Sequence, residues 1–433
     1  MLVHRPMTEE KPTLPDALNP TGTRPTITPP DGKRPMRIII GADTFAPDVN
    51  GAARFAERLA AGMVARGHEV HVVAPAASSR RGTWTETHEG QQMTVHRLKS
   101  WRWYPHDWLR FALPWAVNRN AARIIDAVKP DVIHSQSYVI VGRGLSNAAS
   151  KRGIRIVATN HLMPENALEF SLLPERYREA LVRWAWKLAR GNLNLAEAVT
   201  TPTRRAADFL EKYTGLSGVH AISCGIDAHM YTPNFEPRTE NRILFVGRVT
   251  GEKQIDVLIK AFATLDPSLD AKLEIVGGGD QKRNLENLAA QLGLGDRVTF
   301  TGYVSDEELR STYTRATVLA MPSIAELQSI VTMEAMASAL PVVAANAMAL
   351  PHLVHDDENG YLFEPGNVAE LAARLTDVLT ASPEKILAMK RESLRMIKAH
   401  DIQRTLSTFE SLYRGESVTD PVTESIPIQV SDQ

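Results

Sequence analysis

Short, almost uninterrupted apolar runs alternate with amphipathic helical segments along most of the 433-residue chain. The first run, Arg37-Ile-Ile-Ile-Gly41, ends at a glycine. Residues 52–66 then carry apolar side chains at helical spacing, and a second apolar run follows at residues 69–75. Strands that are apolar on both faces are typical of a parallel sheet covered by helices, so the pattern predicts βαβ units. This alternation restricts the chain to an α/β fold.

The alternation occurs in two series. The first continues with predicted strands at residues 131–135 and 154–159, and the second contains five strands, at residues 242–247, 273–277, 298–302, 316–321 and 341–345. A chain of this length usually exceeds one hydrophobic core. We therefore predict two Rossmann-like, doubly wound domains, at residues 36–220 and 221–400. From its pattern alone, a last helix at about residues 401–414 is compatible with packing on either domain.

The two ends differ in composition from the body of the chain. Residues 1–35 contain eight prolines and no apolar signal-peptide region, and residues 415–433 are polar and aperiodic, so both are predicted to be disordered tails. No run approaches the roughly 20 apolar residues that span a bilayer. The net charge of −1 argues against a nucleic-acid partner. The single cysteine, Cys224, excludes an intrachain disulfide and suits a reducing, cytoplasmic compartment.

Two loops of the second series carry charged residues directly after predicted strands. Gly247-Arg248-Val-Thr-Gly-Glu-Lys253 combines a strand-to-helix turn with two cations, which together can bind an anion and stabilise a leaving group. Glu326 and Glu334 follow the strand that ends at Met321. With residues 328–336 helical, their separation of about 12 Å suits two carboxylates that bracket a diphosphate. The alternative for all four side chains is a solvated surface position.

Two further candidates lie in the first series. Gly51 and Ala52 follow the first strand, where a glycine permits close approach of the backbone to a ligand. The alternative is a plain helix-start turn. His161 lies just beyond a strand's carboxyl end, where α/β clefts bind ligands, and its alternative is a structural role.

In their order along the chain, these motifs resemble the donor domain of the family 4 retaining glycosyltransferases. The resemblance is carried by Gly247-Arg-Val-Thr-Gly-Glu-Lys253, Gly277-Gly-Gly279, Gly302-Tyr-Val and Glu326-(seven residues)-Glu334. It covers residues 36–414 and implies a GT-B fold, in which two Rossmann-like domains face each other and the C-terminal helix returns to the first domain. It also implies a same-face, dissociative mechanism without a covalent nucleophile.

The resemblance implies roles by position. Arg248 and Lys253 are expected to bind the donor diphosphate, Glu326 the transferred sugar and Glu334 the ribose, while His161 lies in the cleft near the sugar. Further donor contacts are expected from the backbone of two segments, Gly51-Ala52 and Leu327-Gln328-Ser329-Ile330. This chain departs from the family where Leu-Gln-Ser-Ile replaces the usual glycines and Ala52 replaces a second glycine. No Asp-x-Asp motif is present, so we expect no metal and no cofactor beside the nucleotide-sugar donor.

The distribution of aromatic and basic residues suggests the acceptor. All seven tryptophans lie at or before Trp186, and residues 97–123 contain six Arg or Lys but one acid. Because Trp prefers the water–lipid interface and basic residues attract anionic headgroups, we predict a membrane-docking surface that admits a lipid acceptor. Its members are Trp101, Trp103, Trp108 and Arg110, with Arg176, Arg183, Lys187 and Arg190 on the helix that carries Trp184 and Trp186. The alternative is that the tryptophans are core residues.

The run Asn160-His-Leu-Met-Pro-Glu-Asn166 and the Leu-Gln-Ser-Ile variation resemble mannosyl- or glucosyltransferases that act on diacylglycerol glycolipids. The resemblance is strongest to actinobacterial α-mannosyltransferases that act on glucuronosyl-diacylglycerol or phosphatidylinositol. We therefore predict transfer of mannose from GDP-mannose to a membrane glycolipid such as glucuronosyl-diacylglycerol. The protein is expected to be cytoplasmic and peripheral on the inner face of the plasma membrane. Two alternatives are a nucleotide-sugar 2-epimerase on the same fold and a non-catalytic nucleotide-sugar-binding membrane protein.

Overall fold

The computed structural model describes residues 33–418 except residues 49, 79–80, 104–105, 165–174 and 237; the side chains of residues 102–109 also lie outside the description. Most of the two predicted tails therefore lies outside the described residues. No described helix combines the length and the apolar character needed to cross a bilayer.

The N-terminal half is built on an eight-stranded sheet of order β10-β9-β8-β7-β1-β2-β4-β3, parallel except for β3. Its strands are β1 (Arg37–Gly41), β2 (Glu69–Pro75), β3 (Gly82–His88), β4 (Gln91–Leu98), β7 (Val132–Ser135), β8 (Arg155–Thr159), β9 (Ala198–Thr201) and β10 (His220–Ala221). A separate hairpin consists of β5 (Ser100–Trp103) and β6 (His106–Ala112). The helices are α1 (Gly51–Ala65), α2 (Pro114–Val128), α3 (Val141–Ser150), α4 (Glu175–Leu193) and α5 (Arg204–Thr214). The strand order reverses between β1 and β7: β2 to β4 are added on one side of β1, and β7 to β10 on the other.

The C-terminal half is a six-stranded parallel sheet of order β13-β12-β11-β14-β15-β16. Its strands are β11 (Asn241–Val246), β12 (Ala271–Val276), β13 (Val298–Gly302), β14 (Val318–Met321), β15 (Val342–Ala345) and β16 (Gly360–Phe363). The helices are α6 (Ile255–Ala263), α7 (Lys282–Gln291), α8 (Asp306–Arg315), α9 (Ile330–Ala337), α10 (Val368–Thr380), α11 (Pro383–Ile397) and α12 (Ile402–Arg414). This strand order is that of the dinucleotide-binding Rossmann fold. The predicted architecture of two doubly wound units is confirmed.

The last helix, α12, packs on the N-terminal half. Leu406 and Phe409 are buried in the same core cluster as the apolar faces of β1 and α1. The chain crosses between the two halves twice, and the two crossings lie side by side: the Ile226 amide donates to the His400 carbonyl at 2.8 Å, and the Ile402 amide donates to the Ile226 carbonyl at 3.1 Å. The two halves are therefore joined by a paired connection.

Local sequence explains where α1 begins. The Asn50 side chain accepts a hydrogen bond from the Ala53 amide at 2.9 Å, which caps the helix. Phe55, Leu59 and Met63 follow at four-residue spacing and are buried. The capped N-terminal end of α1 lies at the cleft between the two halves.

Candidate active site

The order of strands in the C-terminal sheet brings the predicted donor loops together. Strands β12 and β13 are added on one side of β11, and β14 to β16 on the other, so the strand order reverses between the parallel neighbours β11 and β14. The loops that follow these two strands therefore open a crevice at the carboxyl edge of the sheet. Residues 247–253 form the first loop and residues 322–329 the second. The Ile324 amide donates to the Glu252 carbonyl at 3.1 Å, which joins the two loops.

Three of the four predicted donor-site charges lie on these loops. Lys253 donates a hydrogen bond to Glu326, and both side chains are largely buried. The Arg248 guanidinium, 31% exposed, lies 3.2 Å from a carboxylate oxygen of Glu252. Two cations and a carboxylate thus surround the crevice, which is a suitable arrangement for a diphosphate that carries a sugar.

The glycines beside this crevice allow its loops to approach each other closely. Gly277 has φ 128°, a conformation that favours glycine. A side chain there would collide with the carbonyl oxygen of Gly247, the residue that starts the first donor loop. The Gly277-Gly-Gly279 motif therefore shapes the crevice through its backbone.

Glu334, the predicted ribose ligand, lies in a buried polar cluster one turn inside α9. One carboxylate oxygen accepts a hydrogen bond from Arg58 of α1 at 3.0 Å, and the other accepts from the Tyr313 hydroxyl at 2.9 Å. Burial and the Glu334 charge raise the pKa of Tyr313 well above its usual value, and the same two causes raise that of Tyr231. The phenols consequently remain protonated donors. Neither Arg58 nor the tyrosines were singled out from the sequence, because none belongs to a motif.

The predicted helix from residue 328 to 336 is wrong at its start, since α9 begins at Ile330. Ser329 adopts a left-handed conformation with φ 65°. The Gln328 side chain turns away from the crevice: it accepts from the Cys224 amide at 2.7 Å and donates to the Ser223 hydroxyl at 2.6 Å. These bonds fix the segment before α9 to the connection between the halves. The backbone donor contacts expected from Gln328 and Ser329 stay predictions.

The two halves meet at the residues next to this segment. The Leu327 carbonyl accepts from the Thr203 hydroxyl at 3.2 Å. Ile330 packs against the core clusters of both halves, and a Cβ added to Gly51 would lie 3.8 Å from its side chain. The structure thus brings Gly51 and the adjoining Ala52 to the donor side of the cleft, although their expected donor contacts stay predictions.

His161 lies in the loop after β8 and makes its contacts within the N-terminal half. Its Nε2 is 2.8 Å from the amide oxygen of Gln136, and its ring packs against Phe55 of α1. Burial lowers the pKa of His161 to about 4, so the ring is neutral at pH 7. With Nε2 donating to Gln136, Nδ1 is left as a hydrogen-bond acceptor, and its expected place beside the sugar stays a prediction. Gln136 was not predicted, since a single glutamine after a strand carries no signal.

The predicted membrane surface divides into two parts. On α4 the four predicted basic side chains lie on one exposed face, namely Arg176, Arg183, Lys187 and Arg190, and Trp184 beside them is 59% exposed. Trp186 was wrongly grouped with them, because its side chain faces the protein interior. It is buried and stacks on Tyr213.

The hairpin holds the other predicted members. Trp101 is partly buried, with Lys99 Nζ 4.8 Å from its ring centroid. Arg110 donates to the Ser100 hydroxyl at 3.0 Å. The side chains of Trp103 and Trp108 lie outside the part of the chain that the structure describes.

Comparison with solved structures supports the same fold. Sucrose-phosphate synthase from Thermosynechococcus elongatus superposes with a TM-score of 0.73 at 20% identity, over 88% of this chain and 98% of that chain. Two facing Rossmann-like units with charged loops at a strand-order reversal define the class of GT-B glycosyltransferases. Residues 49–229 match the family described as Glycosyltransferase Family 4, and residues 232–395 match the family described as Glycosyl transferases group 1. The chain belongs to the family 4 glycosyltransferases.

Three curated relatives illustrate the range of this family. MMP alpha-(1->4)-mannosyltransferase of Mycolicibacterium hassiacum is 31% identical over 284 residues, which cover 63% of this chain and 68% of the relative. A GDP-mannose-dependent alpha-mannosyltransferase of Corynebacterium glutamicum is 26% identical, and 83% of each chain is covered. Alpha-monoglucosyldiacylglycerol synthase of Streptococcus pneumoniae is 25% identical, over 86% of this chain and 85% of the relative.

Proposed function

We propose that this glycosyltransferase transfers mannose, with retention, from GDP-mannose to a membrane glycolipid such as glucuronosyl-diacylglycerol. The observation that carries the proposal is the grouping of Arg248, Lys253 and Glu326 at the strand-order reversal, with Glu334 on the adjoining helix. Mannose is supported by relatives whose names specify mannosyl transfer, and a diacylglycerol acceptor by the relative named for its synthesis.

The chemistry follows from the charges around the crevice. Lys253 and Arg248 bind the donor diphosphate and stabilise the negative charge that grows on it as the sugar–phosphate bond breaks. Glu326 accepts hydrogen bonds from sugar hydroxyls and fixes the sugar relative to the phosphate. The departing phosphate oxygen then takes the proton of the acceptor hydroxyl, which attacks from the same face. Because two cations meet the diphosphate, transfer requires no metal and is expected to persist in EDTA.

The lipid acceptor is supported by the exposed basic face of α4 and by Trp184 beside it. Such a face binds anionic headgroups, while an interfacial tryptophan inserts among them. We accordingly propose that the protein docks on the inner, cytoplasmic face of the plasma membrane and takes its acceptor from the bilayer.

The test is an assay with radiolabelled GDP-mannose, UDP-glucose and UDP-glucuronate and a crude membrane-lipid extract. The expected result is label from GDP-mannose in one organic-phase product, with and without EDTA, formed about 10²- to 10³-fold more slowly with Glu326→Gln. Label from another donor would show that the transferred sugar is not mannose. Donor binding with no labelled lipid would show that the acceptor is not a lipid, and conversion of the donor to its 2-epimer would establish an epimerase.

A further inference from the structure

Helix α1 of the N-terminal half presents two arginines to the C-terminal half. Arg54 and Arg58 are four residues apart and so lie on one face of the helix. Arg54 pairs with Asp306 at 2.7 Å, and Arg58 pairs with Glu334 at 3.0 Å. The first pair is exposed, whereas the side chains of the second are only 17% and 8% exposed. Exposed ion pairs contribute little to stability, so the buried Arg58–Glu334 pair is the stronger contact between the two halves.

The Arg58–Glu334 pair leaves part of the carboxylate unused. An ionised carboxylate offers about four lone-pair positions. Arg58 and Tyr313 each occupy one, on different oxygens. The Tyr231 hydroxyl also interacts with Glu334, so at least one position is left for a ligand hydroxyl, on a carboxylate whose orientation is fixed from both sides.

The guanidinium itself is buried between the halves. Its Nη1 makes no hydrogen bond of normal distance and angle to any residue in the described part of the chain, although the Tyr231 hydroxyl lies beside it. Burial lowers the pKa of Arg58, but the charge and hydrogen bond of Glu334, together with Tyr231 and Glu89, outweigh it and raise the pKa above its ordinary value, so the cation is permanent. A buried donor next to the free side of Glu334 indicates a ligand that approaches both groups.

We propose that Arg58 is a positioning residue of the donor site, supplied by the opposite domain. It holds the Glu334 carboxylate in the orientation in which it accepts a hydrogen bond from the hydroxyls of the donor ribose. The nucleoside end of the site is then complete only when α1 lies against α9, which links recognition of the ribose to closure of the cleft. This inference rests on the proposed function, and it identifies Arg58 as the residue that makes Glu334 selective for the ribose hydroxyls.

The test measures recognition of the ribose diol instead of turnover. Binding of GDP, UDP and their 2′,3′-dideoxy forms is measured by calorimetry for the wild type and for the variants Arg58→Met, Arg58→Lys and Arg54→Met. The wild type is expected to prefer the ribose form of its nucleotide by about 10-fold or more, the scale of hydrogen bonds to a charged group. Arg58→Met should reduce this ratio toward one, Arg58→Lys should give an intermediate ratio, and Arg54→Met should keep the wild-type ratio.

The outcomes distinguish the role of Arg58 from the existence of the donor site. A wild-type ratio in a folded Arg58→Met or Arg58→Lys protein, checked by thermal melting, overturns the role of Arg58 while the donor site stands. If Arg54→Met also loses the preference for the ribose form, the loss is a general effect of the domain interface, and this result would also overturn the role of Arg58. Absence of binding by every nucleotide to the wild type would overturn the proposed function together with it.

Discussion

Lys253 and Glu326 lie 73 residues apart in the sequence and form an ion pair between the loops that follow the adjacent strands β11 and β14. Their side chains are 13% and 14% exposed, so each charge is neutralised mainly by the other. A nucleotide sugar offers a partner to both, because its diphosphate attracts the ammonium and its sugar hydroxyls donate to the carboxylate. Donor binding can therefore replace this pair without leaving either charge isolated.

Glu326→Gln is expected to lower kcat for transfer by about 10²- to 10³-fold, the scale for removing one preorganised charged contact. The double variant Lys253→Met/Glu326→Gln leaves no unpaired charge and should keep the wild-type melting temperature. Asp256→Asn/Lys260→Met removes a matched but exposed pair on α6 and should leave transfer unchanged. Initial rates and thermal melts check these expectations, and full transfer by Glu326→Gln would exclude Glu326 from the site.

Gln328→Ala is expected to destabilise the protein, because it removes two buried hydrogen bonds that join the donor loop to the connection between the halves. The Cys224 amide is left unsatisfied, at a cost of about 1–3 kcal/mol, whereas the Ser223 hydroxyl keeps the Gly225 amide and the His400 ring as partners. Urea unfolding measures this loss of free energy. Gln291→Ala, on an exposed residue, is the matched control, and equal stability of the two variants would contradict the structural role of Gln328.

The donor sheet and its charged loops were predictable because their determinants are local. Apolar strands at residues 242–247 and 273–277 and the spacing of Glu326 and Glu334 are visible in the sequence itself. The start of α9 was not predictable, since Gln328 leaves the helix to bond with residues more than one hundred positions away. Arg58 was missed for the same reason: its position on an amphipathic helix does not reveal a carboxylate in the other domain.

Stability is expected to fall as the pH is lowered from about 6.5 to 4. Burial lowers the pKa of His134 to about 3 and those of three other histidines to about 4, namely His96, His161 and His400, from an ordinary value of 6.5. The unfolded chain therefore binds more protons in this window, and the effect levels off below about pH 4 for the three other histidines and below about pH 3 for His134. Urea unfolding at pH 7.5, 6.5, 5.5 and 4.5 measures the slope.

His134→Gln isolates one of these contributions. The His134 ring lies 2.6 Å from the Tyr413 hydroxyl and 2.7 Å from that of Thr159, so the substitution itself lowers stability at every pH. It should nevertheless flatten the slope between pH 6.5 and 4, by up to roughly 1.4 kcal/mol for each unit of lowered pKa. His229→Gln, on an exposed residue, should keep the wild-type slope. An unchanged slope in His134→Gln would show that other groups cause the acid sensitivity.

Arg183→Ala/Lys187→Ala is expected to weaken binding to anionic vesicles, because each basic residue near such a surface contributes about 1 kcal/mol. The two together correspond to roughly 30-fold weaker binding, and the difference should shrink as salt is added. Trp184→Ser should weaken binding to anionic and neutral vesicles alike, since it acts by insertion. Phe235→Ser removes a comparably exposed aromatic residue far from this face in sequence and serves as the control in co-sedimentation. If the α4 variants bind as tightly as the wild type while Trp101→Ser/Trp103→Ser/Trp108→Ser does not, docking depends on the hairpin, and the basic face of α4 has another role.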